Sequence, residues 1–590
     1  MVSTENQAEK LYECNGCGLV IASSSTTLQD VLLPAALDAF SKTNQPLPPV
    51  EFGNVSEECS HLSDEISSLE DRISRLKASM KNLQQEKERL EARLQTYKPL
   101  IHPIRRLPDD VISYIFRICG DMDVEDPQKN TSNYYQRYPG SLDTRKAPWL
   151  LGQICRKWRA LLASLPQLWT VVDLDWRYEG PLREYHPAMD MLLSTQLQRC
   201  RDQELTISYC GLEPLDPGNP LTSNVRLLLI LCSRSFQWSK ATIRADADGL
   251  LALSSYRGMF PNLHDLHLHF LNPVKPGWIR AHDRGTVFDA FHETPSLRKL
   301  TLTGYMDAIR DLSIRFPWPQ ITHYSVHNDL NWFADLNDHF PILQQMKNLQ
   351  YCSLETNIPS TAALNAPESP IRLPHLHTLI LSHRQVDSEE SAIDPLLNSL
   401  TLPSLRILRL TCGLDSSSAL LSFLRRSTCT SLEQLAVLRS VLDDDALVRL
   451  LQVGGAEFFG NVHTLELGGT SPLDLVNISD EVIRALTIPS EPNTATTLLV
   501  PKLRCLILYD EKVWSDSVFV DMLQSRRDVG RFGASGKVSR LERLILQDAV
   551  AEGERVIKDL EVARRLEALC REGLEVEVRW TSGEEEDVVY

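Results

Sequence analysis

The sequence predicts a mixed α/β chain with an N-terminal coiled-coil helix, a small all-α unit and a strand/helix solenoid. Three observations predict it. Leucines recur every seventh residue between 62 and 97. Two short apolar helical segments lie between 101 and 170, and one phrase, L-x-x-L-x-L, recurs from about residue 261 onward. These set five expected divisions: 1–58 mostly disordered, 60–98 a coiled-coil helix, 101–170 the helical unit with an insertion at about 120–147, 171–580 the solenoid, and 581–590 an acidic tail.

Composition bounds the function. The 590 residues are 43% hydrophobic and 24% charged, ordinary values for a folded soluble protein. A net charge of −17 argues against a nucleic-acid binder, which needs a clustered basic face. The start, MVSTENQAEK, lacks the apolar core of a signal peptide. The run LLLILC, Leu227 to Cys232, is far too short to cross a bilayer, so no membrane is expected. Thirteen scattered cysteines suit a reducing compartment, cytoplasmic and/or nuclear.

Residues 1–58 carry Ser/Thr and Pro clusters and no sustained period. Cys14 and Cys17 form a CxxC without the second pair that a structural zinc needs, so no metal or other cofactor is expected. Leu62, Leu69, Leu76, Leu83, Leu90 and Tyr97 then fill the d positions of a heptad, and Ile66, Ile73, Met80, Lys87 and Leu94 the a positions. An in-register parallel homodimer would set Glu65 against Glu70, Arg72 against Lys77, Glu86 against Glu91 and Arg93 against Lys98. Every such pair is repulsive. An antiparallel pairing centred near residue 78 sets Glu65 against Arg93 and Arg72 against Glu86, while its e row gains nothing comparable. Three expectations follow for 62–97: antiparallel pairing, a coiled-coil partner of another kind, or docking on its own chain.

The stretch LPDDVISYIF opens the helical unit. Pro108 suits the first helical position, and Asp109 and Asp110 suit the positive end of the helix dipole. Val111, Ile112, Ile115, Phe116 and Cys119 form an apolar face. ICRKWRALLASLPQLW follows after the polar interval, with Ile154, Cys155 and Trp158. Helices this short cannot bury so much apolar surface among themselves, so docking on something larger is expected.

These residues resemble the F-box, a helical module of about forty residues that binds a Skp-family adaptor. Leu107, Pro108, Asp110, Val111, Ile112, Ile115 and Phe116 match its first half; Ile154, Cys155, Trp158, Leu161, Leu168 and Trp169 match its second. Asp110 replaces the commoner Glu, and the insertion is long. A heptad helix followed by Pro103, Ile104, Arg105, Leu107 and Pro108 is similar to the lead-in of fungal F-box proteins.

From residue 261 the phrase appears as NLHDLHL, SLRKLTL, QITHYSV, NLQYCSL, HLHTLIL, SLRILRL, SLEQLAV, NVHTLEL, KLRCLIL and RLERLIL. Their spacing averages about 31 residues, close to a strand-plus-helix repeat. TVVDLD, ELTISY and SKATIRA begin the same array, and the pattern resembles leucine-rich repeats in an irregular form. Strand alternation places His267, Thr301, Ser325, Ser353, Ile380, Arg409, Ala436, Glu466, Ile507 and Ile545 in one row on the opposite face. A second row follows two residues on, with Leu438 and Tyr509 among its members. Apolar residues late in these rows make Leu438, Ile507, Tyr509 and Ile545 the expected target-binding positions.

No catalytic constellation emerges. Zinc at His264, His267 and His269 would need one or two more ligands, with His323 or His327 nearest, so these read as exposed strand histidines, and GRFGASGKV, Gly530 to Val538, lacks the phosphate-loop spacing and hydroxyl. The resemblances imply a non-enzymatic substrate receptor of a cullin-based ubiquitin ligase, binding the adaptor, through it a cullin, and a target protein. The alternative is an interaction scaffold without a role in ubiquitin transfer.

Overall fold

The leucine phrases become strands. The computed structural model describes residues 11–13, 20–22, 37, 40–43, 45–122, 140–174, 188–211, 223–245, 247–271, 287–304, 314–328, 336–356, 369–383, 393–411, 417–438, 444–469, 478–489, 498–509, 514–528, 538–547, 557 and 559–579. Two units are distinguished, Met1–Pro108 and Asp109–Tyr590.

In the first unit, β1 (Leu11–Glu13) and β2 (Val20–Ala22) form an antiparallel ladder. Helix α1 runs from Pro49 to Tyr97 and buries none of its residues. It therefore starts well before the heptads, inside the segment expected to be disordered. Pro49 occupies its first turn, where a missing N–H costs nothing, and Glu51 complements the dipole there. Two 3₁₀ turns, Lys98–Ile101 and Pro103–Arg106, follow it.

The second unit opens with α2 (Asp109–Met122), α3 (Trp149–Ile154) and α4 (Arg156–Ala163). A fourteen-stranded sheet follows. Its strands are β3 (Val171–Leu174), β4 (Leu205–Cys210), β5 (Trp238–Ala245), β6 (Asp265–Phe270), β7 (Lys299–Gly304), β8 (His323–Asn328) and β9 (Tyr351–Thr356). They continue as β11 (Thr378–His383), β13 (Ile407–Thr411), β14 (Gln434–Leu438), β15 (Thr464–Gly468), β16 (Cys505–Tyr509), β17 (Arg543–Gln547) and β18 (Glu575–Arg579). Two further short strands, β10 (Ile371–Arg372) and β12 (Leu400–Thr401), pair separately. Order in the sheet follows order in the chain, every pairing is parallel, and the edges β3 and β18 do not meet, so no barrel closes.

One register runs across the whole sheet: Asp173, Ser208, Thr242, His267, Thr301, Ser325, Ser353, Ile380, Arg409, Ala436, Glu466, Ile507, Ile545 and Glu577 align. All crossovers advance the same way, and parallel crossovers are right-handed, so the helices share one face. These are α5 (Ala188–Arg199), α6 (Ser223–Cys232), α7 (Ala247–Leu253), α8 (Leu336–Gln345), α9 (Ile393–Ser399) and α10 (Ser417–Ser427). The series ends with α11 (Asp444–Phe458), α12 (Asp480–Leu486), α13 (Asp516–Arg527) and α14 (Leu560–Arg571), each packed on the one before. Between β5 and β8 a run of aromatic rings also lines this layer: Trp238, Phe260, Phe291, Phe316 and Trp318 succeed one another with centroids 5.0–6.3 Å apart.

Polar residues at the head of the phrases stitch neighbours together. Asn262 donates to the Phe236 carbonyl, Asn348 to Pro319 and Asn461 to Thr430, each at 2.8 Å; Ser404 donates to Pro374 at 2.6 Å. Gly304 and Gly468 end their strands with φ of +90° and +116°, and a Cβ at either would overlap the backbone of Phe270 or Tyr509.

Candidate protein-docking surfaces

The helical unit is held together from inside and anchored to β3. Asp109 and Asp110 stand in the first turn of α2, and the Asp109 carboxylate pairs with Lys157 of α4 at 2.7 Å. Ile112 and Phe116 are buried, with the Phe116 ring edge-on to Trp158 at 5.0 Å. Cys155 is extended between α3 and α4, and its Sγ accepts the Trp158 N–H at 3.4 Å, a weak N-cap where the chain changes direction. Trp169 is buried edge-on to Trp149, and the Arg199 guanidinium of α5 lies over both rings at 4.4 and 4.9 Å. Burial there pushes the Arg199 pKa below its ordinary value. Ser141 Oγ accepts the Asp173 N–H at 3.0 Å, and Trp149 Nε1 donates to the Ser141 carbonyl at 2.8 Å. These contacts fix the helices to the first strand.

The interval expected to be an insertion up to about residue 147 ends earlier as packed structure. Leu142 and Asp143 are buried, and Arg145 grips the Asp143 carboxylate with two N–H donors at 2.9 Å. Burial alone would raise that carboxyl's pKa, yet the Arg145 hydrogen bonds and charge hold it below the ordinary value.

Apolar surface is left over. Val111, Tyr114 and Ile118 are exposed on α2 at i, i+3 and i+7, and Leu150 and Ile154 are exposed on α3 at i and i+4. The helix α2 is thus apolar on two sides, one turned inward and one outward. Of the residues expected to touch an adaptor, Pro108, Asp110, Val111, Ile154 and Cys155 are exposed, while Leu107, Ile115 and Trp158 are half-buried. Ile112 and Phe116 are core, because the stripe they share faces α4 and not solvent. Leu107 and Pro108 fall in the first unit and the others in the second. Tyr114, Ile118 and Leu150 were missed. The 3-and-4 spacing beginning at Val111 marks Tyr114 and Ile118, and the four-residue spacing from Ile154 marks Leu150.

On the sheet face, the late apolar positions are not an open patch. Leu438 has no exposed surface and Ile545 is buried, while Ile507 and Tyr509 are half-buried. The correction has a physical cause: side chains on this face reach across one another. Arg409 Nη1 pairs with Glu466 at 3.0 Å over the intervening Ala436, which is small enough to pass beneath. Gln434 donates to Glu466 at 2.6 Å, and Tyr509 Oη lies 3.3 Å from both Arg409 and Glu466. Burial, then the Glu466 charge, raises the Tyr509 phenol pKa. Glu466 itself is buried, and its carboxylate carries bonds from three side chains. The cluster is internally satisfied.

The histidines near β6 form a relay. An Arg244 N–H lies 3.2 Å from His269 Nε2 and can only donate, so Nδ1 donates to Thr303 Oγ1 at 2.9 Å. The Thr303 hydroxyl then donates to His267 Nε2, also at 2.9 Å. Among the described residues no group of three or more His, Cys, Asp or Glu side chains converges on a metal position, and no helix is long and apolar enough to cross a membrane. Cys14, Cys17, the Gly530–Lys537 segment and the acidic tail lie outside the described residues. No protein-family model matches this chain, and no curated protein matches it.

Proposed function

We propose that this chain is a non-catalytic substrate receptor of a cullin-based ubiquitin ligase. The helical unit acts as an F-box that holds a Skp-family adaptor, and the sheet with its helix layer acts as an irregular leucine-rich-repeat solenoid that holds a target protein. One observation carries the reading. A unit whose interior is complete around Ile112, Phe116, Leu162 and Trp169 still turns Val111, Tyr114, Ile118, Leu150 and Ile154 to solvent. Asp110 and Cys155, also exposed, flank Val111 and Ile154 in the chain, and Trp158 supports the unit from inside against Phe116; Leu107 and Pro108 enter the proposal through the resemblance.

The chain contributes proximity, bringing a bound target within reach of a ubiquitin-conjugating enzyme. The target faces the open side of the sheet, where His267, Thr301, Ser325 and Ile507 keep accessible surface. Cytoplasm or nucleus is the setting for such an assembly.

Co-purification tests this. Wild-type full-length chain retains a Skp-family adaptor and, through it, a cullin; the Leu107→Ala, Pro108→Ala double variant retains at least about tenfold less adaptor. Wild-type chain that binds no adaptor overturns the proposal. Adaptor retained without cullin would make the chain a scaffold instead.

A further inference from the structure

We infer that α1 pairs with the α1 of a second copy of this chain, antiparallel, with the crossing point at residue 78. Ten apolar side chains lie on its heptad stripe, from Leu62 through Ile66, Leu69, Ile73, Leu76, Met80, Leu83, Leu90 and Leu94 to Tyr97. Their exposures run from 47% to 63%. A stripe that long is stable in water only when another helix covers it.

Charge selects the occupant. In a parallel pair of identical helices every charged g–e contact is repulsive: Glu65 with Glu70, Arg72 with Lys77, Glu86 with Glu91, Arg93 with Lys98. In the antiparallel pair centred at 78, the g row sets Glu65 against the second copy's Arg93 and Arg72 against its Glu86, and two-fold symmetry repeats both. The e row adds Glu70 with Gln84, which is indifferent, and a single Lys77–Lys77 repulsion at the axis. A slide of one heptad toward the N-terminus gains Glu70 with Lys77 and Glu58 with Arg93 but sets Glu65 against Glu86. A slide the other way sets Arg72 against Arg93 and Glu70 against Glu91. Only the centred register has no repulsive g pair.

The apolar layers agree. Ile66 meets Leu90, Ile73 meets Leu83, Met80 meets Leu76 and Leu94 meets Leu62. Lys87 meets Leu69 with its aliphatic stem, and its charge lies 3.7 Å from Glu91 on the same helix. Such a pair holds two Tyr97 ends about 57 Å apart, at 1.5 Å per residue, and doubles the number of target-holding surfaces in one particle. This pairing stands whether or not the helical unit binds an adaptor.

The test is sedimentation equilibrium of the full-length chain with charge reversals. Wild type sediments as a dimer of the 66.8 kDa chain. Glu65→Arg weakens self-association about tenfold, Arg93→Glu does the same, and the double reversal restores it. The other arrangements give different signs. In a parallel dimer each single reversal removes two repulsions and strengthens association. In the register shifted toward the N-terminus Glu65→Arg strengthens while Arg93→Glu weakens. Either pattern, or a wild-type monomer across the accessible concentrations, overturns the inference. Copper-catalysed oxidation gives a second readout: Cys59, an a-position residue, crosslinks to residue 97 of the second copy in Tyr97→Cys, and does not crosslink to Cys59 in wild type. A Cys59–Cys59 crosslink in wild type overturns it too.

Discussion

Val111→Glu and Ile154→Glu each lower adaptor affinity by about 100-fold or more while leaving the melting temperature within about 2 °C of wild type. The two halves of that expectation have separate causes. Val111 is 40% exposed and Ile154 58% exposed, so in the free chain the new carboxylate stays hydrated and stability barely changes. Once a partner covers the surface, that carboxylate loses water without gaining a partner, at a cost of several kcal/mol. Binding and thermal unfolding of the same variants check both halves. Phe116→Ala shows why the choice of residue matters. That ring is buried and packed on Trp158 at 5.0 Å, so its removal destabilises the unit by about 3–5 kcal/mol and confounds any loss of binding.

Arg526→Met is the most damaging single change expected in the sheet unit, destabilising its C-terminal part by about 3–6 kcal/mol. The Arg526 side chain is 1% exposed. Nε donates to the Leu486 carbonyl at 2.7 Å, Nη1 to Val500 at 2.9 Å and Nη2 to Leu499 at 2.8 Å. Methionine keeps the aliphatic bulk but leaves three buried carbonyls without donors, each worth about 1–3 kcal/mol. It also releases Val500, a β-branched residue held at φ +45°, where such residues are strained.

Burial lowers the guanidinium pKa from its ordinary value to about 10. The unfolded chain therefore binds more protons only between those two values, and wild-type stability rises with pH across that interval alone. Across the neutral range the group is protonated in both states, so the cost of Arg526→Met is independent of pH there. Hydrogen exchange locates the effect: protection falls in α12, α13 and β16 and is kept in β3–β8, which lie toward the other end of the sheet.

Periodic features of the fold were legible in the sequence, and features set by contacts between distant residues were not. Ten of the fourteen sheet strands coincide with the L-x-x-L-x-L phrases and three more with TVVDLD, ELTISY and SKATIRA. The last strand, β18, escaped notice because EVEVR alternates Val with Glu and Arg and carries no leucine phrase. The start of α1 at Pro49 escaped because the proline- and glycine-containing stretch PLPPVEFG reads as irregular, although Phe52 and Val55 carry the a and d positions back from Cys59 and Leu62.

The candidate sites divide in the same way. Spacing identified α2 and α4, but it could not tell which apolar residues face inward, so Ile112 and Phe116 were grouped with Val111. Period 2 puts Leu438 and Ile545 on the face opposite the phrase leucines, yet both are buried. It could not foresee that Arg409, Glu466 and Tyr509 would bond across that face, an arrangement that joins residues 43 to 100 positions apart. Ser141 and Arg199, which anchor the helical unit, are invisible to any local pattern for the same reason.

Hydrogen exchange of the full-length chain, alone and with a saturating Skp-family adaptor, tests the docking surface most directly. The account predicts new protection confined to 111–118 and 150–158, with the strands from β6 to β17 unchanged. Exchange that is unaltered in those two segments, or protection that appears only on the sheet, would contradict it.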